Sequence, residues 1–380
     1  MTTSACLALL WTGSCPLSLD GRSQYVAVGE ERSQPSPCTT GVPQGSVLGP
    51  LLYAMYVSPI GDVVTGHGMN YHLYADDLQV YTAIRTDQLT DLSALELCTA
   101  DVARWFLENA LQLNPTKTEA VLFGTRQRLR AADRGQGILA AGALVSFADS
   151  LKLLGVTLDS SLSLDRHVSD VVRSCNYHIR ALRHIRQRLT PEAARIAACG
   201  IVGARLDYCN SLFYGMSNKN FDKLQTVQNN LARVVGRVSW SADVVELRRT
   251  LHWLPVRQRV SFKMAVMAYR VQKTGSPLYL SSMLRPYLPQ RVLRSSSQCL
   301  LEQPRVRIGF EQGAFSTAAP AVWNGLPRHL QDSGSVTGFK AGLKFLAPRR
   351  GLWSFGINHD RFRAIAAPPI CRATLSALQI

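Results

Sequence analysis

The chain has 380 residues, 46% of them apolar, and a formal net charge of +16, enough chain for two or three domains with sizeable cores and too apolar for a disordered polyelectrolyte. A mean hydropathy of +0.00, with no apolar run near the ~20 residues that a spanning helix needs, argues against a membrane protein. The charge is uneven: 3 Lys/Arg stand against 9 Asp/Glu in residues 1–100, 6 against 5 in 101–150, 19 against 8 in 151–270 and 14 against 4 in 271–380. A mildly acidic beginning is thus followed by a long basic part, mostly arginine, of the kind that suits a polyanion such as nucleic acid.

The start, MTTSACLALLWTGSC, has a short apolar stretch with no basic residue before it, so it does not read as a secretory signal. Residues 29–40, GEERSQPSPCTT, read as a polar loop. In GVPQGSVLGPLLYAMYVSPI, residues 41–60, Leu48, Leu51, Leu52, Met55 and Tyr56 recur at helical spacing. That spacing predicts a buried helix starting near Pro50 and stopping at Pro59. Residues 60–70 read as a glycine-rich connection, and YHLYADDLQVY, residues 71–81, as strand, turn, strand with Asp76 and Asp77 at the turn. An amphipathic helix is predicted over 88–110 on Leu89, Leu92, Leu95, Val102, Phe106 and Leu107. LQLNPTKTEAVLFG then gives a turn at Asn114-Pro115 and a strand from Ala120 to Phe123. Residues 125–142 read as a loop, and SLKLLGVTLDSSLSL, residues 150–164, as a hairpin.

From 165 the pattern is helical. Val168, Val171, Val172, Cys175, Ile179, Leu182, Ile185 and Leu189 keep one face of a long helix, with Arg173, Arg180, Arg183, Arg186 and Arg188 mainly off it. Thr190-Pro191-Glu192 is a helix start, with a hydroxyl cap, proline in the first turn and an acid at the positive end. A further helix over 219–236 carries Phe221, Leu224, Val227, Leu231 and Val235. Past 275, proline-rich and apolar stretches alternate without a clear period, and no internal repeat or heptad seam is present. Nine cysteines without a Cys-x-x-Cys pair point to reduced, intracellular thiols and no structural metal.

Three features in order carry chemistry. GVPQGSVLGP offers glycines at 41, 45 and 49, which let a backbone pass close to a ligand, and the polar pair Gln44 and Ser46. Asp76 and Asp77 are adjacent on a hairpin. Asp is a common turn former, but two carboxylates on one tight turn also suit Mg²⁺, which takes hard oxygen ligands and keeps sites for phosphate. Lys117 lies between a turn and a strand, where an ammonium could neutralise leaving pyrophosphate. Beside a basic helical half, the three point to a nucleotide polymerase using paired ions ~3.5–4 Å apart.

GVPQGSVLGPLLYAMYVSPI followed by YHLYADDLQVY closely resembles the reverse transcriptases of non-LTR (LINE-type) retrotransposons, in the family's order and roughly its spacing. LQLNPTKTEAVLFG resembles its lysine-bearing strand, and LKLLGVTLDSSLSL its primer-grip hairpin. LDYCNSLFYGMSNKNFDKLQTVQNNLARVV, LHWLPVRQR and FSTAAPAVWNGLP resemble the C-terminal region of vertebrate elements of this type. The resemblance implies an α/β fold, a partial right-hand polymerase palm followed by an α-helical thumb and a C-terminal extension, with expected bounds 1–164, 165–270 and 271–380. It implies two-metal nucleotidyl transfer onto a primer 3′-hydroxyl, with Mg²⁺ or Mn²⁺ on Asp76 and Asp77, Asp76 being the more critical. Tyr74 and Ala75 would shape the turn by the primer end. Pro43, Gln44, Gly45 and Ser46 would lie by the template base and incoming nucleotide. Lys117 would contact or protonate the leaving phosphate, and Leu154 and Gly155 would belong to the primer grip. The implied partners are an RNA template, a DNA primer and deoxynucleoside triphosphates. No membrane is implied, and the family implies a nuclear location.

One departure stands out. The family carries another metal-binding aspartate on a strand before GVPQG, in a phrase such as FDTVDH, which is absent from this sequence. LLWTGSCPLSLDGRSQYVAVG resembles an altered form of the segment that follows that strand, so an N-terminally truncated member with a palm sheet short of one strand is expected. Asp20 and Asp62 are only distant substitutes. Two readings follow: an RNA-directed DNA polymerase fragment, or a catalytically dead retrotransposon remnant that only binds RNA or DNA. Loss of a carboxylate ligand favours inactivity for this chain as it stands.

Overall fold

A computed structural model of the protein describes residues 23–37, 47–84, 92–131, 137–288, 299–306, 312–349 and 375–379. Contacts divide the chain into two compact units, residues 1–149 with 371–380, and residues 150–370.

The first unit is built on a sheet. After two short, exposed antiparallel pairs between 23 and 37 come α1 (Gly49–Val57), α2 (Ile60–Gly66), β1 (Asn70–Tyr74) and β2 (Asp77–Ala83). Then follow α3 (Ser93–Glu108), β3 (Glu119–Phe123), α4 (Arg126–Ala131), β4 (Ile138–Ala140), β5 (Ala143–Val145) and β6 (Phe147–Ala148). Helix α1 starts and stops where its prolines predict, but it is not buried: Val57 is buried while Leu51 is 59% exposed. The expected connection at 60–70 is instead the helix α2. Its Gly61 is needed for close packing, because a side chain there would run into the Tyr71 ring. Residues 125–142, expected to be a loop, contain α4 and half of the β4–β5 hairpin. Helix α3 buries Leu95, Cys98, Val102 and Phe106 against Ile60, Val64, Leu78 and Val80 in one core, while Leu107 points out.

The five-stranded sheet runs β6, β3, the C-terminal strand Leu375–Gln379, β2, β1. The C-terminal strand is antiparallel to both neighbours, with Gln379 opposite Gln79 on one side and Glu119 on the other. The sheet was expected to lack a strand and to expose an edge. Here the slot between β2 and β3 is filled from the far end of the chain, which satisfies two rows of backbone donors and acceptors at once. Ala120, Val121, Leu122 and Phe123 are all buried, the run expected of a strand paired on both sides and covered on both faces.

The second unit is mostly helical. It opens with the hairpin β7 (Ser150–Leu153) and β8 (Val156–Asp159), read with the palm from sequence but grouped by its contacts with the helices. Leu154 and Gly155 both have positive φ, 44° and 81°, the primed turn that a two-residue hairpin favours. Helix α5 (Asp165–Ile185) follows, then a 3-10 turn Arg186–Arg188 and α6 (Pro191–Ala197), capped by Thr190 accepting from the Ala193 amide at 3.1 Å. Asp159 organises the entry to α5. It accepts from the amides of Ser163 (2.9 Å) and Leu164 (2.7 Å) and from the hydroxyls of Ser161 (2.8 Å) and Ser163 (3.1 Å). Beyond lie α7 (Asn218–Gly236), α8 (Val244–Thr250), α9 (Val256–Thr274), α10 (Phe315–Asn324) and α11 (Val336–Arg349). Val168, Ile179, Leu224, Leu231 and Val260 share one core; Met264, Tyr269, Trp323, Phe339 and Leu343 share another. Helix α9 contributes to both. Each large side chain so buried contributes ~1.5–3 kcal/mol, so residues to 343 are integral to this unit.

Candidate functional site

The β1–β2 hairpin has a two-residue loop, Ala75 and Asp76, closed by the Tyr74–Asp77 pair. Ala75 sits at φ 53°, the left-handed region where a Cβ costs roughly 1–2 kcal/mol; the tight reversal holds both carboxylates at one end of the sheet. Strand alternation fixes their surroundings. Leu78 and Val80 enter the core under α2 and α3, so Asp77 faces the other way, on the same side as its partner Tyr74, which is 64% exposed. Asp76 is exposed and Asp77 half-buried. Tyr53 of α1 is a neighbour that sequence reasoning missed: burial and the Asp76 charge both push its phenol up. Its position on a half-exposed helix face next to GVPQGSVLGP was the only signal.

Lys117 stands exposed at the end of a 3-10 turn, Pro115–Lys117, which Asn114 caps by accepting from the Thr116 amide (3.1 Å) and hydroxyl (2.6 Å). The register brings it to the hairpin's end of the sheet. Gln79 and Glu119 lie level on either side of Gln379, two strand spacings or roughly 10 Å apart. Asp77 and Lys117 each precede those positions by two residues. Pro43, Gln44, Gly45 and Ser46 lie outside the described residues. Leu154 and Gly155 belong to the second unit, where the Leu154 carbonyl accepts from the Tyr208 hydroxyl at 2.5 Å.

The five arginines do not form one set. Arg173, Arg180, Arg183 and Arg188 are exposed, and Arg173 and Arg180 lie on the face of α5 opposite buried Cys175. Arg173 is paired with Asp170 at 3.4 Å. Arg186 is only 6% exposed. It donates through Nε (3.0 Å) and Nη2 (2.6 Å) to the Val235 carbonyl and through Nη1 (3.0 Å) to that of Leu189. It therefore ties the end of α7 to the turn after α5, and burial and the neighbouring Arg237 charge push its pKa down.

Two adjacent carboxylates, exposed Asp76 on the loop and half-buried Asp77 at the start of β2, fit one Mg²⁺-like ion, which needs one or two protein oxygens and completes its shell with water and phosphate. Among the described residues no group of three or more His, Cys, Asp or Glu side chains comes together. The buried thiols are inert, burial raising Cys98 and Cys175 to about 11.

A mixed sheet and helix unit bearing paired carboxylates on a tight hairpin is what a polymerase palm presents, and residues 7–158 match the reverse transcriptase (RNA-dependent DNA polymerase) family. That segment is similar to reverse-transcriptase domains of the non-LTR retrotransposon kind. The chain is 27% identical over 289 residues to a probable RNA-directed DNA polymerase from transposon BS of Drosophila melanogaster, covering 73% of this chain and 30% of that protein. It is 24% identical over 245 residues to the RNA-directed DNA polymerase from mobile element jockey of the same organism, covering 61% of this chain and 26% of the relative. It is 22% identical over 223 residues to the Pol polyprotein from type-1 retrotransposable element R1 of Nasonia vitripennis, covering 57% and 65%. The chain thus spans about a third or less of the two Drosophila relatives. No solved structure matches it. Reverse transcriptases of this family generally use divalent metal ions. No helix among the described residues is long and apolar enough to cross a membrane.

Proposed function

We propose that the first unit carries the catalytic hairpin of an RNA-directed DNA polymerase, and that its chemistry is nucleotidyl transfer onto a DNA primer paired to an RNA template. The observation that carries this is the Ala75–Asp77 turn, which presents two carboxylates at one sheet end with Lys117 at the same end. In the reaction the primer 3′-oxygen bonds to the α-phosphorus of a deoxynucleoside triphosphate, the bond to pyrophosphate breaks, and the hydroxyl proton leaves to solvent. Asp76 and Asp77 would hold Mg²⁺ or Mn²⁺, which when bound neutralises the phosphate charge and acidifies the hydroxyl. Tyr74 and Ala75 shape the turn beside the primer end. Lys117 donates a proton or a hydrogen bond to the departing pyrophosphate. Pro43, Gln44, Gly45 and Ser46 would line the template base and incoming nucleotide, and Leu154 and Gly155 would hold the primer. Arg173, Arg180, Arg183 and Arg188 of the second unit, read as a thumb, would contact phosphates.

A second reading has its own support. The strand between β2 and β3 is LSALQ, without a carboxylate, and the two-ion scheme needs further oxygen ligands beyond Asp76 and Asp77. On that reading the chain binds RNA or DNA without extending a primer. Primer extension on an RNA template with Mg²⁺ or Mn²⁺ separates the two, comparing the chain with its Asp76→Ala, Asp77→Ala double variant. Extension that the variant abolishes supports the polymerase. No extension by folded wild-type protein leaves binding as the function.

A further inference from the structure

The ends of α5 and α7 meet at a cavity of about 440 Å³ lined by Arg183, Arg186, Arg233 and Arg237, together with Trp240, and none of its described lining residues is acidic. Two of the four guanidinium groups are committed to backbone. Arg186 clamps the Val235 and Leu189 carbonyls, and Arg237 Nη2 donates to the carbonyls of Arg186 (2.8 Å) and Gln187 (2.7 Å). They neutralise the two helix C-termini, whose partial charges sum to about −1, and leave the cavity cationic. The other two arginines differ. Arg183 is exposed on the rim. The Arg233 guanidinium lies 4.3 Å over the Trp240 ring, and its Nε is buried with no hydrogen-bond partner. Trp240 itself is 70% exposed. An indole held by a cation yet left open to solvent beside an arginine cluster is a stacking platform next to an anion site.

We propose that this cavity binds single-stranded nucleic acid, with one unpaired base stacked on Trp240 and an adjoining phosphate on Arg183, while Arg233 holds the indole in place. A duplex offers no free base face, so the site distinguishes single strands from duplexes. The class of ligand rests on the polymerase reading above, but the site lies wholly in the second unit and needs no catalysis.

The test is fluorescence anisotropy of the full chain with a labelled oligo(U) single strand and with an RNA duplex of equal length, at one salt concentration. Trp240→Ala is expected to weaken single-strand binding by about five- to a hundred-fold and duplex binding by less than about two-fold. Trp240→Phe is expected to keep most of the affinity. Arg183→Ala should weaken both ligands and lower the log–log salt slope by about one. Because Trp240 is exposed, its variants should melt like wild type, and circular dichroism checks that. Unchanged single-strand affinity in Trp240→Ala overturns the proposal, and so does an equal loss for single strand and duplex, which would mean a charged surface without a base site. Absence of primer extension with the Trp240 effect intact would count against the polymerase reading alone.

Discussion

The two units place their proposed functional groups in opposite ways. In the first, the carboxylates come from four consecutive residues, Tyr74 to Asp77, but the sheet beneath them is closed by a strand nearly three hundred residues later in the sequence. In the second, Arg183 and Trp240 come from different helix ends, yet those ends are fixed by sequential helices on a shared core and by Arg186. A locally built site can therefore rest on a sheet closed from far along the chain, and a site assembled from distant residues on helices that follow one another in sequence.

Removing residues 375–380 should break this contrast most sharply. It strips β2 and β3 of one partner each, a loss on the order of 5 kcal/mol from several backbone hydrogen bonds, comparable with the stability of a whole domain. Hydrogen exchange at Leu78–Val80 and Val121–Phe123 should rise to unprotected rates while that of α5 and α7 stays slow. Persistent protection of both strands would show that the C-terminal strand does not close the sheet.

The Arg186 clamp is the next largest effect. Arg186→Ala leaves the buried Val235 carbonyl and the part-buried Leu189 carbonyl unpaired and should cost about 2–4 kcal/mol in urea unfolding of the second unit. Arg186→Lys should recover only part of this, since one ammonium cannot reproduce the fork. A neutral Arg186→Ala would return that residue to the phosphate-contacting set.

Acid should loosen the second unit through Asp159 and His167. Burial acts to raise Asp159, but the hydrogen bonds from Ser161, Ser163 and Leu164 outweigh it and lower its pKa. Its contribution is thus present above about pH 3.9 and lost as pH falls through the lower folded value. His167 is pushed down by burial, against the opposing Asp170 charge, and its Nδ1 accepts from the Thr157 amide at 3.3 Å. Its contribution is present above about pH 6.5 and fades as pH falls through its folded value. Asp159→Asn should cost about 1–3 kcal/mol at pH 7, and the gap from wild type should shrink below about pH 4. A gap that stays constant to pH 2 would contradict the assignment. The smallest effect is at the turn: Ala75→Gly should raise stability by at most about 1 kcal/mol, while Ala75→Val should lower it. Equal stability of the two in denaturant titration would deny the left-handed turn.

What the sequence disclosed follows the same division. The hairpin, α3, α5, α7 and the Thr190 cap were legible because each is written in a local period or a cap of a few residues. Helix α2 was hidden by Gly61 and Gly66, which suggest a loop until Tyr71 is seen packing on Gly61. The C-terminal strand was hidden because LSALQ has no β-branched or aromatic residue and its partners are far away in sequence. Asp76, Asp77 and Lys117 could be named from their motifs, but only the register puts them at one end of the sheet. Tyr53 and Trp240 could not be singled out, because their neighbours come from other elements.

The central claim is that the hairpin carboxylates do the chemistry. It is tested most directly by single-turnover extension of a DNA primer on an RNA template by the chain and by its Asp76→Asn, Asp77→Asn and Lys117→Ala variants. On the polymerase reading wild type extends the primer in a Mg²⁺- or Mn²⁺-dependent way; on the binding reading it does not. Asp76→Asn should lower that extension by about 10³, Asp77→Asn by about 10² or more and Lys117→Ala by about 10². Wild-type rates in both aspartate variants, or no extension by folded wild-type protein, would contradict the polymerase reading.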